Sequence, residues 1–122
     1  ILRGDTKRLN ANERKVVSEL LEEGRSIEVL PEGVTSSPDF VVDGLKTELK
    51  TLKNHNLNTT LSKIDKAFGK QGADALIYDV RPGGLTKLEV EQIYHRVCGK
   101  YNGGIPGIIE FWTIEGKVIY NT

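Results

Sequence analysis

The dipeptide Asp43-Gly44 separates two strand-like runs, Asp39-Phe40-Val41-Val42 and Leu45 through Leu52. A two-residue loop of this composition closes an antiparallel hairpin, because glycine accepts the positive φ that the right-handed twist of the strands demands. Such a turn leaves no freedom of register. Val42 pairs with Leu45, and stepping outward places Asp39 across from Glu48. Directly opposed residues share a sheet face with Cβ atoms about 4.5–5.5 Å apart. Lys50 lies two residues past Glu48 and points to the same side, whereas Leu45, Thr47 and Leu49 point to the other. Two carboxylates and a lysine therefore converge from turn chemistry alone.

The rest of the chain supplies helices to cover such a sheet. Its 122 residues suit one core, assigned to residues 10–122, with residues 1–9 read as a leader or linker remnant. A helix is expected over Asn12–Glu23, capped by Asn10 or Asn12 and stopped by Gly24, and a short strand over Ile27–Leu30 ends at Pro31. Residues 32–37 read as loop. A second helix, Thr59–Lys70, carries Leu61, Ile64, Ala67 and Phe68 on one face, and Gly72 stops it. Ala75–Val80 reads as a buried strand. The third helix, Thr86–Cys98, opens with a capping box at Thr86 and Glu89. Strands Ile108–Ile114 and Val118–Tyr120 close the chain around Glu115-Gly116, and one of Phe111 and Trp112 is expected in the core. The order α-β-β-β-α-β, then α-β-β, implies an α/β fold with a mixed sheet flanked by helices.

Opposed like charges destabilise a hairpin unless a proton or cation lies between them. A surface charge ladder is the bland explanation, and it must account for that unfavourable pair. Asp39 and Glu48 instead suit a hard divalent ion such as Mg²⁺, or Mn²⁺, which takes one or two carboxylates together with water and phosphate. Lys50 then neutralises charge developing on the phosphate. Glu13 falls on the apolar stripe Val16, Val17, Leu20 and Leu21 of the first helix. It reads equally as a fourth acid of the site and as a helix-start acid favoured by the macrodipole. The formal net charge is zero, from 17 basic and 17 acidic residues, which excludes a simple polycation. Locally, however, Lys46, Lys50, Lys53, Lys63, Lys66 and Lys70 face only Glu48 and Asp65, a strip suited to phosphates or simply to solvent. Gln71 is a candidate for orienting water or phosphate, and His55 for acid–base or backbone contact. The lone Cys98 makes no internal disulfide and reads as a helix-face residue. No apolar run is long enough to span a membrane. The absence of methionine, position 1 included, is read as the mark of a piece of a longer polypeptide.

Pro38-Asp39, followed after a gap by Glu48-Leu49-Lys50, resembles the motif of the PD-(D/E)xK nuclease superfamily, and the order of elements over Asn12 to Val80 resembles its restriction-endonuclease-like αβββαβ core. An added helix and a C-terminal β-hairpin would extend that core. Across most of the chain the sequence is similar to the C-terminal toxin domains of contact-dependent growth inhibition proteins. Asn12-Glu13, Leu30-Pro31, Pro38-Asp39-Phe40, Asp43-Gly44, Gln71-Gly72-Ala73-Asp74 and Gly107-Ile108-Ile109-Glu110 carry that likeness. The resemblance implies a toxin endonuclease with Glu13, Asp39, Glu48 and Lys50 as active-site residues. It also implies transfer RNA in preference to DNA as substrate, and a cognate immunity protein as partner. Delivery would be from a large exported cell-surface protein into the cytoplasm of a neighbouring bacterium. The alternatives are a DNase of the same fold, a metal-independent ribonuclease using His55 with Lys50 and Thr59, a non-catalytic binding module, and an unrelated α/β domain.

Overall fold

Turn and cap chemistry divides the chain where the sequence marks it. The computed structural model describes residues 1–31, 39–70, 72–102 and 104–121, with Lys70 described by its backbone alone. Asp43 and Gly44 take φ of 49° and 85°, the two left-handed positions of a tight hairpin turn. They join β3 (Phe40–Val42) to β4 (Leu45–Thr51), with Val42 opposite Leu45 and Phe40 opposite Thr47. The expected register is observed. Helix α1 (Ala11–Glu22) starts at a capping box between Asn10 and Glu13, and α3 (Lys87–Lys100) starts at one between Thr86 and Glu89.

Among the described residues the strands form a seven-stranded sheet, adjacent in chain order. β2 (Ile27–Val29) pairs antiparallel with β3. β4, β5 (Ala75–Asp79) and β6 (Ile108–Thr113) are mutually parallel, joined by crossovers through α2 (Leu57–Asp65) and α3. β7 (Gly116–Asn121) returns antiparallel to β6. The fold is thus a mixed sheet flanked by helices. Side-chain alternation sorts the core into two layers. Phe40, Val42, Leu49, Ile77 and Trp112 pack with Val16, Val17 and Leu20 of α1. Leu76, Tyr78, Val80, Ile109 and Phe111 pack with Ile64 of α2 and Val90, Ile93 and Val97 of α3. β5, covered on both faces, is buried at every position.

Several expectations differ in detail. Residues 1–9 are packed on the domain rather than serving as a bare linker. Leu2–Gly4 forms β1, parallel to β2, a 3₁₀ turn covers Thr6–Arg8, and Leu9 is buried against α1. Unpaired β2 backbone accounts for this, since a sheet edge accepts any short extended segment. The second helix starts at Leu57 because Asn56 caps it through the Thr59 amide, and its last turn, Lys66–Lys70, is π-helical. Gly116 begins β7 opposite Thr113, so the final turn is Ile114-Glu115. Phe111 and Trp112 are both core residues, each facing a different helical layer. Residues 32–37 lie outside the described part.

Paired charges fasten α1 to the sheet. Arg81, just past β5, bonds buried Asp79 at 2.8 Å and Glu19 of α1 at 2.6 Å, and its guanidinium lies 4.9 Å from the Trp112 ring centroid. Arg25 bonds buried Glu110 at 2.9 Å, and Glu110 also accepts from the Trp112 indole N–H at 2.6 Å. The Arg81 hydrogen bonds hold the Glu19 carboxyl below its ordinary 4.5. A carboxyl depressed in the folded state stabilises the fold above its unfolded pKa, and that contribution is lost as pH falls through the folded value. Glu19→Gln is therefore expected to lower the thermal midpoint at neutral pH. For a pair about a third exposed on each side, the cost is on the order of 1 kcal/mol or less. The difference from the parent, followed by calorimetry, closes as pH drops below about 4.5.

Candidate active site

β3 and β4 position the acids. Asp39 immediately precedes β3, and continuing the observed pairing outward sets it across from Glu48. Leu49 packs against α1, so Glu48 and Lys50, on either side of it in the strand, project from the opposite face. There Glu48 is the cross-strand neighbour of Leu76, and Lys50 of Tyr78. The Lys50 ammonium is 3.4 Å from Glu48 Oε2. Asp39 Oδ1 receives Arg8 Nη2 at 3.3 Å, and the other terminal nitrogen of Arg8 holds the Leu30 carbonyl.

Glu48 is buried, with 6% of its surface exposed, and its Oε1 is the buried side-chain oxygen left without a hydrogen-bond partner among the described residues. Asp79 and Glu110, equally buried, are each bonded to an arginine. Burial pushes the Glu48 carboxyl above its ordinary 4.5. The Lys50 charge pulls it down, and the Asp39 charge pushes it up again. The site thus holds two carboxylates against two cations, with one oxygen of the more buried acid unsatisfied. That is a costly arrangement for a purely structural pair. Among the described residues no group of three or more His, Cys, Asp and Glu side chains gathers around a common point. The donor set is Asp39 and Glu48, which suits an ion content with two carboxylates plus water and phosphate rather than a closed zinc site.

The other sequence candidates are placed as follows. Glu13 is the third residue of α1. Its Oε1 accepts from the Asn10 amide at 3.0 Å, while its own amide bonds Asn10 Oδ1 at 2.8 Å. α1 lies on the sheet face opposite Glu48 and Lys50, so Glu13 does not join their hydrogen bonds in this structure. Lys53, Lys63 and Lys66 are exposed, on the loop after β4, on α2 and at the π-helical turn. The Lys70 side chain and Gln71 fall outside the described part. His55 is engaged on both sides: Nδ1 lies 3.0 Å from the Gly83 carbonyl and Nε2 2.6 Å from Glu89 Oε2. Both ring nitrogens thus already have a protein partner, which ties the loop to the turn at Gly83 and to the start of α3. Arg8 carried no signal in the sequence, since 31 residues separate it from Asp39 and it lies in the segment read as a linker.

The family model of the contact-dependent growth inhibition CdiA C-terminal domain matches residues 36–118, well over half of the chain. The matched span contains Asp39, Glu48 and Lys50 and begins after α1. A solved structure described as the CdiA-CT/CdiI toxin and immunity complex from Burkholderia pseudomallei shares the fold. It covers 99% of this chain and 98% of that one, with a TM-score of 0.67 at 13% identity. No curated protein matches the chain. The chain belongs to the contact-dependent growth inhibition CdiA C-terminal domain family: it is a CdiA-CT-type toxin domain.

Proposed function

We propose that this toxin domain is a metal-assisted endonuclease that hydrolyses phosphodiester bonds, with transfer RNA the favoured substrate and DNA the alternative. The observation that carries the reading is the buried, unpartnered Oε1 of Glu48 on the face shared with Lys50 and across the hairpin from Asp39. Asp39 and Glu48 would hold Mg²⁺ or Mn²⁺, which when bound withdraws charge from the phosphate. Lys50, already 3.4 Å from Glu48, would neutralise charge on the non-bridging phosphate oxygens as the water oxygen bonds to phosphorus, the P–O bond to the departing sugar oxygen breaks and that oxygen takes a proton from solvent. Arg8 orients Asp39, and its second bond to the Leu30 carbonyl keeps it from following the carboxylate. Glu13, at the start of the helix that follows the Arg8 turn, stays a candidate accessory acid by family resemblance and takes no step here, because its carboxylate caps α1. The order of elements from α1 to β5 supports a restriction-endonuclease-like core.

The biological setting follows from the family. A cognate immunity protein, as in the complex that shares this fold, would block the domain in its producer. The domain would travel as the end of a large cell-surface protein and act in the cytoplasm of the recipient. Among the described residues no helix is long and apolar enough to cross a membrane.

Glu48→Gln is expected to lower cleavage of total transfer RNA by roughly 10²-fold or more while the protein remains folded. Undiminished cleavage or toxicity sinks the catalytic assignment. EDTA is expected to abolish cleavage and Mg²⁺ or Mn²⁺ to restore it, with plasmid DNA assayed in parallel to choose the substrate. Because both ring nitrogens of His55 are committed, His55→Gln is expected to keep cleavage within about tenfold of the parent, less than removal of a general base costs. EDTA-resistant cleavage lost in His55→Gln would establish the metal-independent ribonuclease instead.

A further inference from the structure

Where β4 runs out toward α2, a cavity of about 230 Å³ opens on the protein surface. Lys53, Asn54 and Asn56 of the connecting loop, Thr59 and Lys63 of α2, and Tyr78 of β5 contribute to its wall. No carboxylate lines it, and among the described residues neither Lys53 nor Lys63 has an acidic partner. The contrast with the larger cavity between α2 and α3 is direct. There Asp65 sits on the wall and binds Lys100 at 2.7 Å and the Tyr101 hydroxyl at 2.8 Å.

The cavity adjoins the strand that carries Lys50, since Thr51 of β4 is part of its wall. Tyr78, part of its wall, is the cross-strand neighbour of Lys50, and Lys53 follows Lys50 along the same backbone. At about 3.3 Å per residue the two backbone positions lie roughly 10 Å apart. Burial pushes the Tyr78 phenol up to about 12, so the wall gains no anion at neutral pH. The loop that bears Lys53 and Asn54 is fixed from outside. His55 bonds Gly83 and Glu89. The Gly83 backbone comes so close that a Cβ there would stand 2.9 Å from Leu52 Cδ2 and 3.0 Å from the Asn54 carbonyl oxygen.

We infer that this cavity is a subsite for the nucleotide adjacent to the scissile phosphodiester, with Lys53 and Lys63 taking its phosphate and Asn54 the polar edge of its base or sugar. Its place in the reaction rests on the nuclease reading above; the strand binding it predicts does not. The charge and the preformed wall select a phosphodiester strand, and RNA and DNA share that chemistry.

The test measures binding of fluorescently labelled single-stranded RNA and DNA decamers of one sequence to the Glu48→Gln protein across a salt series. Lys53→Gln and Lys63→Gln, added singly, are expected to weaken binding about 5- to 10-fold. Each should also make the slope of log affinity against log salt shallower by about 0.7. Lys15→Gln, the same charge change on exposed α1, is the control for diffuse electrostatics and is expected to bind as the parent. A difference between the RNA and DNA arms identifies the strand the subsite takes. Parent-like binding by both cavity variants, or an equal loss in Lys15→Gln, overturns the subsite. Cleavage by the wild-type protein is scored separately. Binding lost in the cavity variants without any wild-type cleavage would retain the subsite and defeat the nuclease reading.

Discussion

A two-residue turn leaves no slack in the strands it joins, and here that rigidity governs both layers of the protein. Asp43 and Gly44 take the left-handed conformations of the turn. Asp43 also accepts the Ser26 amide at 2.9 Å and Arg25 Nε at 3.1 Å, which ties the turn to the segment leading into β2. With the register pinned, Phe40, Val42 and Leu49 enter the α1 layer, while Glu48 and Lys50 are left on the other face. A slip of one residue would exchange the two sets, burying acid against α1 and exposing leucine. The hydrophobic core and the candidate site are consequences of one turn.

The buried acids show how the chain treats charge that serves only the fold. Asp79 and Glu110 are enclosed by arginine forks, and the same arginines reach Glu19 and Asp43 to lash α1 and the hairpin together. Fully bonded ion pairs of this kind tolerate burial, whereas a buried charge with an open lone pair is strongly disfavoured. Glu48 departs from that pattern. Lys50 meets one of its oxygens, and the other has no partner. Two cations, Arg8 and Lys50, offset the two acids and still leave Glu48 Oε1 without a partner.

Much of this is legible in local sequence chemistry. Asp43-Gly44 specified the hairpin and its register, Thr86 with Glu89 marked the start of α3, and the order of elements implied the mixed sheet. Features that depend on distant partners were not. β1 is a three-residue strand with every residue exposed, so it carries no alternation to betray it, and only the open edge of β2 makes it a strand. Arg8 gains its meaning from Asp39, which arrives from another element. His55, a candidate in the sequence for acid–base or backbone contact, is engaged by the turn at Gly83 and the start of α3, neither of which is near it in the chain. Glu13 was ambiguous between site and cap, and the bonds it makes here are those of a cap.

Sequence by itself determined what local chemistry controls: the turn type, the facing of Asp39, Glu48 and Lys50, and the ends of helices bounded by caps. Those properties depend on φ preferences and on alternation along a strand, which reach only a few residues. Tertiary structure alone decided which helix covers which face, which buried acids receive arginines and which oxygen goes unpaired. Such outcomes depend on desolvation, and desolvation is set by everything that packs around a group rather than by its neighbours in the chain.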